Sequence, residues 1–194
     1  MPPRQKFTRE EIIAAALNIV RKEGMEGITA RGLGAELGTS SRPIFTAFQD
    51  MEEVQKETIQ AVKALYNSYS DEAFDENLPF REVGMQYFRF AREEPRLFEL
   101  LFMRNCAKDM DISDFLSLTL DNYEKILESI EESYGLSRQF ACRSFENIWL
   151  FTHGISCLQA TATIQFTDEK VGKLLDEMYN SLYLLYMERG GKQA

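Results

Sequence analysis

The sequence predicts an all-α protein, and two observations lead to this fold class. Apolar residues recur at helical spacing along nearly all of the 194 residues, and no segment alternates for long in the manner of a strand. Capping residues and glycines stand between the periodic segments, where helices are expected to start and stop. We therefore expect nine helices and no strands, over about residues 8–23, 29–37, 41–48, 50–74, 80–93, 96–104, 114–134, 137–165 and 168–189.

The first two helices have the clearest termini. Thr8-Arg9-Glu10-Glu11 has the form of a capping box, in which a threonine hydroxyl and a glutamate carboxylate each accept a bond from a free N–H group. Gly24 is expected to close this helix in the left-handed conformation, and Gly38 to close the second one. Thr29 is the expected N-cap of the second helix.

The later helices are bounded by similar signals. Side chains of Asp, Ser and Thr cap helix starts, whereas Gly and Pro end helices or interrupt them. The expected boundary residues are, in chain order, Asp50-Met51-Glu52-Glu53, Asn77-Leu78-Pro79, Pro95, Gly135, Ser137, and Thr167 or Asp168.

Composition and charge restrict the kind of protein. Hydrophobic residues make up 44% of the chain and charged residues 27%, which is typical of a folded globular protein. No apolar run approaches the roughly 18 residues of a membrane span, and no signal peptide is evident, so we expect a cytoplasmic protein without a membrane partner. The net charge is −9, but residues 1–49 hold seven basic and five acidic residues, a net of +2, which leaves −11 for the remainder. Only the first segment is therefore expected to approach an anion.

Residues for catalysis and metal binding are scarce. The chain has one histidine, His153, and three widely spaced cysteines, Cys106, Cys142 and Cys157, which form no C-x-x-C pair. A disulfide framework and a zinc site are therefore not expected. The sequence also lacks a nucleophile elbow, a paired-carboxylate motif and a cofactor fingerprint. We expect no catalytic residues, no metal and no cofactor.

The clearest motif lies between residues 29 and 48. Two short helices are joined by Gly38-Thr39-Ser40, and a short glycine-containing turn between two such helices is the helix-turn-helix pattern. The second helix would lie in the major groove of DNA. Its inward positions are Ile44, Phe45 in part, and Phe48, and no acidic residue stands on it to repel phosphate. The motif predicts a three-helix DNA-binding head over 1–49 and a helical body over 50–194.

Residues 8–54 contain a larger set of features at characteristic positions. These are Thr8-Arg9-Glu10-Glu11-Ile12, Ala15-Ala16, Gly24, Gly27-Ile28-Thr29, Arg31, Leu33, Leu37-Gly38, Ser40, Ile44-Phe45, Phe48 and Glu52-Glu53-Val54. In these positions the chain resembles the N-terminal domain of tetracycline-repressor-like (TetR family) regulators. The resemblance implies a homodimeric DNA-binding regulator, usually a repressor, whose C-terminal helical bundle binds a small inducer and forms the dimer.

The resemblance also implies which residues contact DNA. Thr29 corresponds to a phosphate-contacting cap, and Arg31 to an arginine that contacts bases or phosphate. The contact positions in and before the recognition helix are Ser40, Ser41, Arg42, Pro43, Phe45 and Thr46. Gly32 and Gly34 stand inside the second helix, where each costs about 1 kcal/mol relative to alanine, which predicts a soft head.

Two departures from the family pattern each remove a phosphate contact. Phe45 stands where a tyrosine is usual, and Gln49 stands where a lysine is usual. Arg4 and Lys6 precede the first helix and are expected to supply compensating phosphate contacts.

Aromatic residues and methionines crowd residues 85–103 of the body, and Trp149-x-x-x-His153-Gly154 is similar to a short signature in some TetR-like C-terminal domains. These side chains could wall an apolar cavity for an apolar or aromatic effector. The candidate lining residues are Phe88, Phe102, Tyr123, Trp149 and His153. The alternative is a solid core in which His153 is hydrogen-bonded to a neighbouring helix and Gly154 allows close packing.

The last helix carries apolar residues on more than one face, so it must be buried on more than one side. A terminal helix meets its own core on one side, and a second subunit is expected to cover the other. The candidate interface residues are Leu175, Met178, Tyr179, Leu182 and Tyr186. The alternative is burial between helices of the same chain.

Together these patterns predict a homodimeric repressor that binds a pseudo-palindromic DNA operator and is released by a small-molecule effector. Two alternatives stay open. The body could be a helical enzyme or carrier with a vestigial head, or the regulator could respond to a protein partner or to no ligand.

Overall fold

The computed structural model describes residues 7–75, 80–104, 109–135 and 137–188. All regular structure in these ranges is helical, as predicted. Ten α-helices are present there, rather than the predicted nine: α1 (Arg9–Glu23), α2 (Ala30–Glu36), α3 (Ile44–Ala47), α4 (Met51–Asp75), α5 (Phe80–Glu93), α6 (Pro95–Phe102), α7 (Ile112–Thr119), α8 (Tyr123–Tyr134), α9 (Arg138–Ala160) and α10 (Asp168–Glu188). The expected break at Asn77-Leu78-Pro79 lies outside the described residues.

The chain forms two compact units. The first unit comprises Met1–Leu65 and Glu94–Arg104, and the second comprises Tyr66–Glu93 and Asn105–Ala194. The boundary predicted between 1–49 and 50–194 separates a DNA-binding part from an effector-binding part rather than two compact units. It stays a prediction.

The core of the first unit is the apolar face of α1. Ile12, Ala16 and Val20 are fully buried on this face, which packs against α2 and α6. The capping box at Thr8 is present as predicted, since its hydroxyl accepts from the Glu11 N–H while the Glu11 carboxylate accepts from the Thr8 N–H. The head is therefore held by a continuous helical core.

The second unit is built around α9, which packs against α5, α8 and α10. Phe88, Ile155, Val171 and Leu175 form one buried apolar cluster between these helices. Gly172 makes room for an arginine here, because a Cβ at this position would lie 2.1 Å from Nη2 of Arg81.

The predicted helix over 114–134 is wrong, because two helices, α7 and α8, replace it. Leu120 has extended backbone angles (φ −100°, ψ 108°), and its N–H bonds to the Leu116 carbonyl to end α7. Asp121 and Asn122 follow, and such residues favour turns over helix interiors because their side chains compete for backbone groups. Leu120 is buried even though the helix breaks there, so the apolar spacing continues through the break. For this reason the spacing alone does not indicate the break.

Two helix ends also differ from prediction. Gly24 does not adopt the left-handed helical conformation; its angles (φ 80°, ψ −175°) belong to a region that essentially only glycine occupies. Helix α9 ends at Ala160 rather than near residue 165, because Ala162 adopts a left-handed φ of 55°. The N–H groups of Ala162 and Thr163 then bond carbonyls of the last turn and close the helix.

Candidate nucleic-acid interface and interior cavity

The turn between α2 and α3 is held by backbone contacts. Gly38 has a φ of 63°, and the N–H groups of Gly38 and Thr39 bond to the carbonyls of Ala35 and Gly34 at 3.1 and 2.8 Å. A Cβ on Gly34 would lie 2.9 Å from the Thr39 carbonyl oxygen and 3.1 Å from the carbonyl carbon of Ser40. Gly34 is predicted from the sequence only to destabilise α2. Its missing side chain also allows the turn to lie directly against α2.

The predicted recognition helix is shorter than expected, because α3 begins at Ile44, after a turn through Arg42 and Pro43. Ile44 and Phe48 are buried, as predicted for the inward face. Of the six DNA contacts predicted in and before this helix, four are exposed and two are half-buried. Ser40, Arg42, Phe45 and Thr46 are exposed, and Ser41 and Pro43 are half-buried.

The two predicted contacts of α2 lie at its start. The Thr29 hydroxyl accepts a 2.9 Å bond from the Gly32 N–H, so Thr29 is the N-cap of α2, as predicted. Arg31 lies in the first turn and is exposed. The proposed phosphate contact of Thr29 would therefore come from a residue that the helix start already fixes in place.

Arg9 has a role that sequence reasoning missed. Its guanidinium donates to the Ala47 carbonyl oxygen at 2.8 Å, pairs with Glu53 and Glu57, and lies 4.1 Å above the centre of the Phe48 ring. Hydrogen bonds to the two carboxylates raise the pKa of Arg9. The residue thus joins α1, the end of α3 and α4, through partners that no local pattern could indicate.

The other cations of the head fall into two groups. Arg21 pairs with Glu94 and Lys22 with Glu36, at 2.7 and 3.0 Å. By contrast, exposed Arg31 and Arg42 form no ion pair with any residue in the described ranges. The head therefore presents unpaired positive charge at two of the positions that the resemblance assigns to DNA contact, while Arg4 and Lys6 lie outside the described residues.

An apolar cavity lies inside the second unit. The empty space between its walls is about 330 Å³, counting the part that opens to solvent, and its interior admits little more than a water molecule in this conformation. The walls come from α4, α5, the α7–α8 turn and α9. The lining residues are Tyr66, Val83, Gly84, Tyr87, Leu120, Phe145, Ile148, Trp149 and Thr152.

The predicted pocket residues are scattered with respect to this cavity, and only Trp149 lines it. Phe88 belongs to the cluster with Val171 and Leu175, and Tyr123 packs against Phe145. Phe102 is buried in α6 of the first unit. Gly154 is exposed, and a Cβ there would meet no atom within 4 Å, so it does not serve close packing.

His153 has a hydrogen-bond partner at each ring nitrogen. Nδ1 lies 2.8 Å from the Tyr87 hydroxyl oxygen of α5, and Nε2 lies 3.3 Å from the Cys157 sulfur. Burial lowers the pKa of His153 and raises that of Tyr87 well above its ordinary value. Both pKa shifts favour the neutral forms of the two residues. The neutral His153 ring can then accept a hydrogen bond at Nδ1 from the Tyr87 O–H. The ring also stacks on Trp149 at 4.8 Å, so it supports the cavity wall from behind.

The predicted interface residues on α10 differ in burial. Leu175 is 3% exposed and packs inside its own unit. Met178, Tyr179, Leu182 and Tyr186 are half-buried. Toward the end of the helix Leu184, Leu185 and Met187 are 61%, 41% and 55% exposed.

None of the helices in the described ranges has the length and apolar character that crossing a membrane requires. The residues in these ranges do not bring together three or more His, Cys, Asp or Glu side chains in an arrangement that could hold a metal ion.

Solved structures of TetR-like proteins share this architecture. A putative TetR-family transcriptional regulator from Vibrio parahaemolyticus has a TM-score of 0.63 at 13% identity, with 89% of this chain and 96% of that chain covered. A TetR variant from Acinetobacter baumannii AYE, solved in complex with minocycline, has a TM-score of 0.54 at 15% identity, with 97% and 100% covered. The chain therefore has the all-α TetR fold, which is the fold of a class of transcriptional regulators.

The superantigen PfiT is similar as well, with a TM-score of 0.57 at 19% identity and with 95% of this chain and 97% of that chain covered. Neither a protein-family model nor a curated protein matches the sequence. Because one fold can host different functions, the function has to be argued from the site.

Proposed function

We propose that the protein is a DNA-binding transcriptional repressor that acts as a homodimer in the cytoplasm, without catalytic activity. The observation that supports this most directly is the charge on the helix-turn-helix. Arg31 and Arg42 are exposed and unpaired within the described residues, whereas Arg21 and Lys22 are paired with carboxylates. On a chain of net charge −9, DNA would be attracted to such a local site rather than to the whole surface.

The exposed side chains around α3 suit a major groove. Ser40, Arg42, Phe45 and Thr46 carry no negative charge and include one guanidinium, which can bond two acceptors of a guanine. The buried pair Ile44 and Phe48 fixes the rotation of α3, so these side chains face outward together. Thr29 and Arg31 would contact the backbone or bases beside them.

A second copy of the chain would provide the partner for α10. Leu184, Leu185 and Met187 leave apolar surface exposed on this helix, and Leu182 and Tyr186 are only half-buried. A two-fold dimer through the last helices would bury these groups. It would present two α3 helices to successive major grooves about 34–36 Å apart, and would thus select a pseudo-palindromic operator.

The cavity supports a small apolar or aromatic effector. Its walls are mainly apolar, as they are in most small-molecule sites. Because the interior is narrow, an effector would have to widen it, and would therefore favour a conformation different from this one. Release from DNA follows if the widened form binds the operator less well. A regulator without a ligand is the second candidate, and the narrowness of the cavity favours it.

The test is selection of bound fragments from a random DNA pool by the purified protein at physiological salt. The Arg31→Ala/Arg42→Ala variant removes two unpaired charges. The matched control, Arg21→Ala/Lys22→Ala, removes two charges from paired positions of the same head. We expect the wild type and the control to enrich the same pseudo-palindrome, and the first variant to lose it.

Two results would overturn the proposal. One is a folded, dimeric wild type that enriches no sequence, which would leave the enzyme or carrier alternative. The other is an equal loss of binding in both variants, which would show that unpaired charge at positions 31 and 42 is not what binds DNA.

A further inference from the structure

Phe45 is an unusual surface residue. Its side chain is 50% exposed, and no other aromatic side chain that the structure describes is exposed to this extent. The neighbouring Ile44 and the nearby Phe48 are buried in the head, so the rotation of α3 is fixed with the Phe45 ring outside the core. The exposed ring is therefore a set feature of the α3 surface.

The groups next to Phe45 offer few hydrogen bonds of their own. The Thr46 hydroxyl donates to the Arg42 carbonyl oxygen at 3.2 Å, and the Ala47 carbonyl oxygen accepts from Arg9 at 2.8 Å. On α3 itself the Phe45 ring is therefore the main exposed group, and the Arg42 guanidinium lies just before the helix. At this ring the surface can contact DNA favourably only where DNA is apolar.

The base edges in the major groove have one apolar group, the C5 methyl of thymine. A phenylalanine can neither donate to a phosphate nor bond a base edge. We infer that Phe45 determines operator specificity by packing against a thymine methyl group in each half-site. This inference rests on the proposed function, and it specifies the base class that the same site recognises.

The experiment replaces each thymine of the selected operator by deoxyuridine, one position at a time and in both half-sites, and measures the Kd. Uracil pairs like thymine but lacks the methyl group. We expect one position per half-site at which the loss weakens wild-type binding roughly fourfold, or about fifteenfold in both half-sites together. Other thymines should change the Kd by less than a factor of about two.

Variants of α3 then assign the effect to its residue. Phe45→Ala should bind thymine and uracil operators equally, whereas Phe45→Leu, which keeps an apolar side chain, should retain part of the discrimination. Leu118→Ala, which truncates an exposed apolar side chain outside the head, is the matched control; it should discriminate like the wild type. Because Phe45 is half-exposed, its truncation should leave the thermal midpoint within a few degrees of the wild type.

Four results would overturn the inference. Sequence-specific binding without any uracil-sensitive position removes it and leaves the proposed function intact. If Phe45→Ala keeps the full uracil effect, another residue contacts the methyl group, and the inference is wrong. If Phe45→Ala weakens binding to all sequences equally, the ring packs against the sugar-phosphate backbone, and the inference is also wrong. In both cases the proposed function stays intact. A wild type that binds no DNA removes the inference together with the proposed function.

Discussion

Gly34→Ala tests whether the turn of the head depends on a backbone-to-backbone approach. The added Cβ would lie 2.9 Å from the Thr39 carbonyl oxygen and 3.2 Å from the Ser41 nitrogen, both of which are backbone atoms. Alanine gains about 1 kcal/mol of helix propensity over glycine, but overpacking of a tight site costs about 1–3 kcal/mol. Because the hydrogen bonds of Gly38 and Thr39 hold the turn in place, we expect the cost of overpacking to lie in the upper part of its range.

The net result should be a loss of about 1–2 kcal/mol in the free energy of unfolding, and a fall of about 2–8 °C in Tm. The matched control is Gly154→Ala, the same change inside α9, where a Cβ meets nothing within 4 Å. It should gain about 1 kcal/mol and raise Tm by about 2–4 °C. Thermal and urea denaturation followed by circular dichroism measure both. A Gly34→Ala variant as stable as the wild type would refute the reasoning.

Two further predictions concern the second unit. Ala162→Gly should raise stability by about 1 kcal/mol, since it removes a left-handed non-glycine residue, and an unchanged urea midpoint would contradict this. The second is a pH dependence. Burial lowers the pKa of His153 below its ordinary 6.5, so the unfolded chain binds the proton better, and stability should fall as the pH drops below about 6.5 and stay level above it. Urea midpoints between about pH 5.5 and 7.5 should show this slope in the wild type and not in His153→Gln; equal slopes would count against it.

Local signals account for what the sequence predicts correctly. The caps at Thr8, Thr29 and Ser137 each bond a backbone N–H only three residues ahead, and the left-handed glycine at Gly38 closes its own helix. Such interactions join residues that are close in sequence, so a local pattern can indicate them. The bounds of the first two helices and of α5 were therefore predictable to within about two residues.

Distant contacts account for the rest. The partners of Arg9 are 38 to 48 positions away, and nothing near Arg9 distinguishes it from a cation that binds DNA. The crowded aromatic residues correctly indicate an apolar interior, but whether rings such as Phe88 fill it or leave a void depends on packing between helices. The split between α7 and α8 was missed because buried Leu120 continues the apolar period through the turn.

The stacked pair in the second unit has an optical consequence. Trp149 and His153 are the only tryptophan and the only histidine of the chain, and their rings lie nearly parallel, 10° apart. Indole fluorescence depends on the polarity of the surroundings and on the groups that touch the ring. The fluorescence of Trp149 would therefore change when a molecule enters the cavity, when the cavity widens, or when the imidazole takes up a proton. The protein thus has a built-in reporter at its cavity wall, and no label is needed to follow that region.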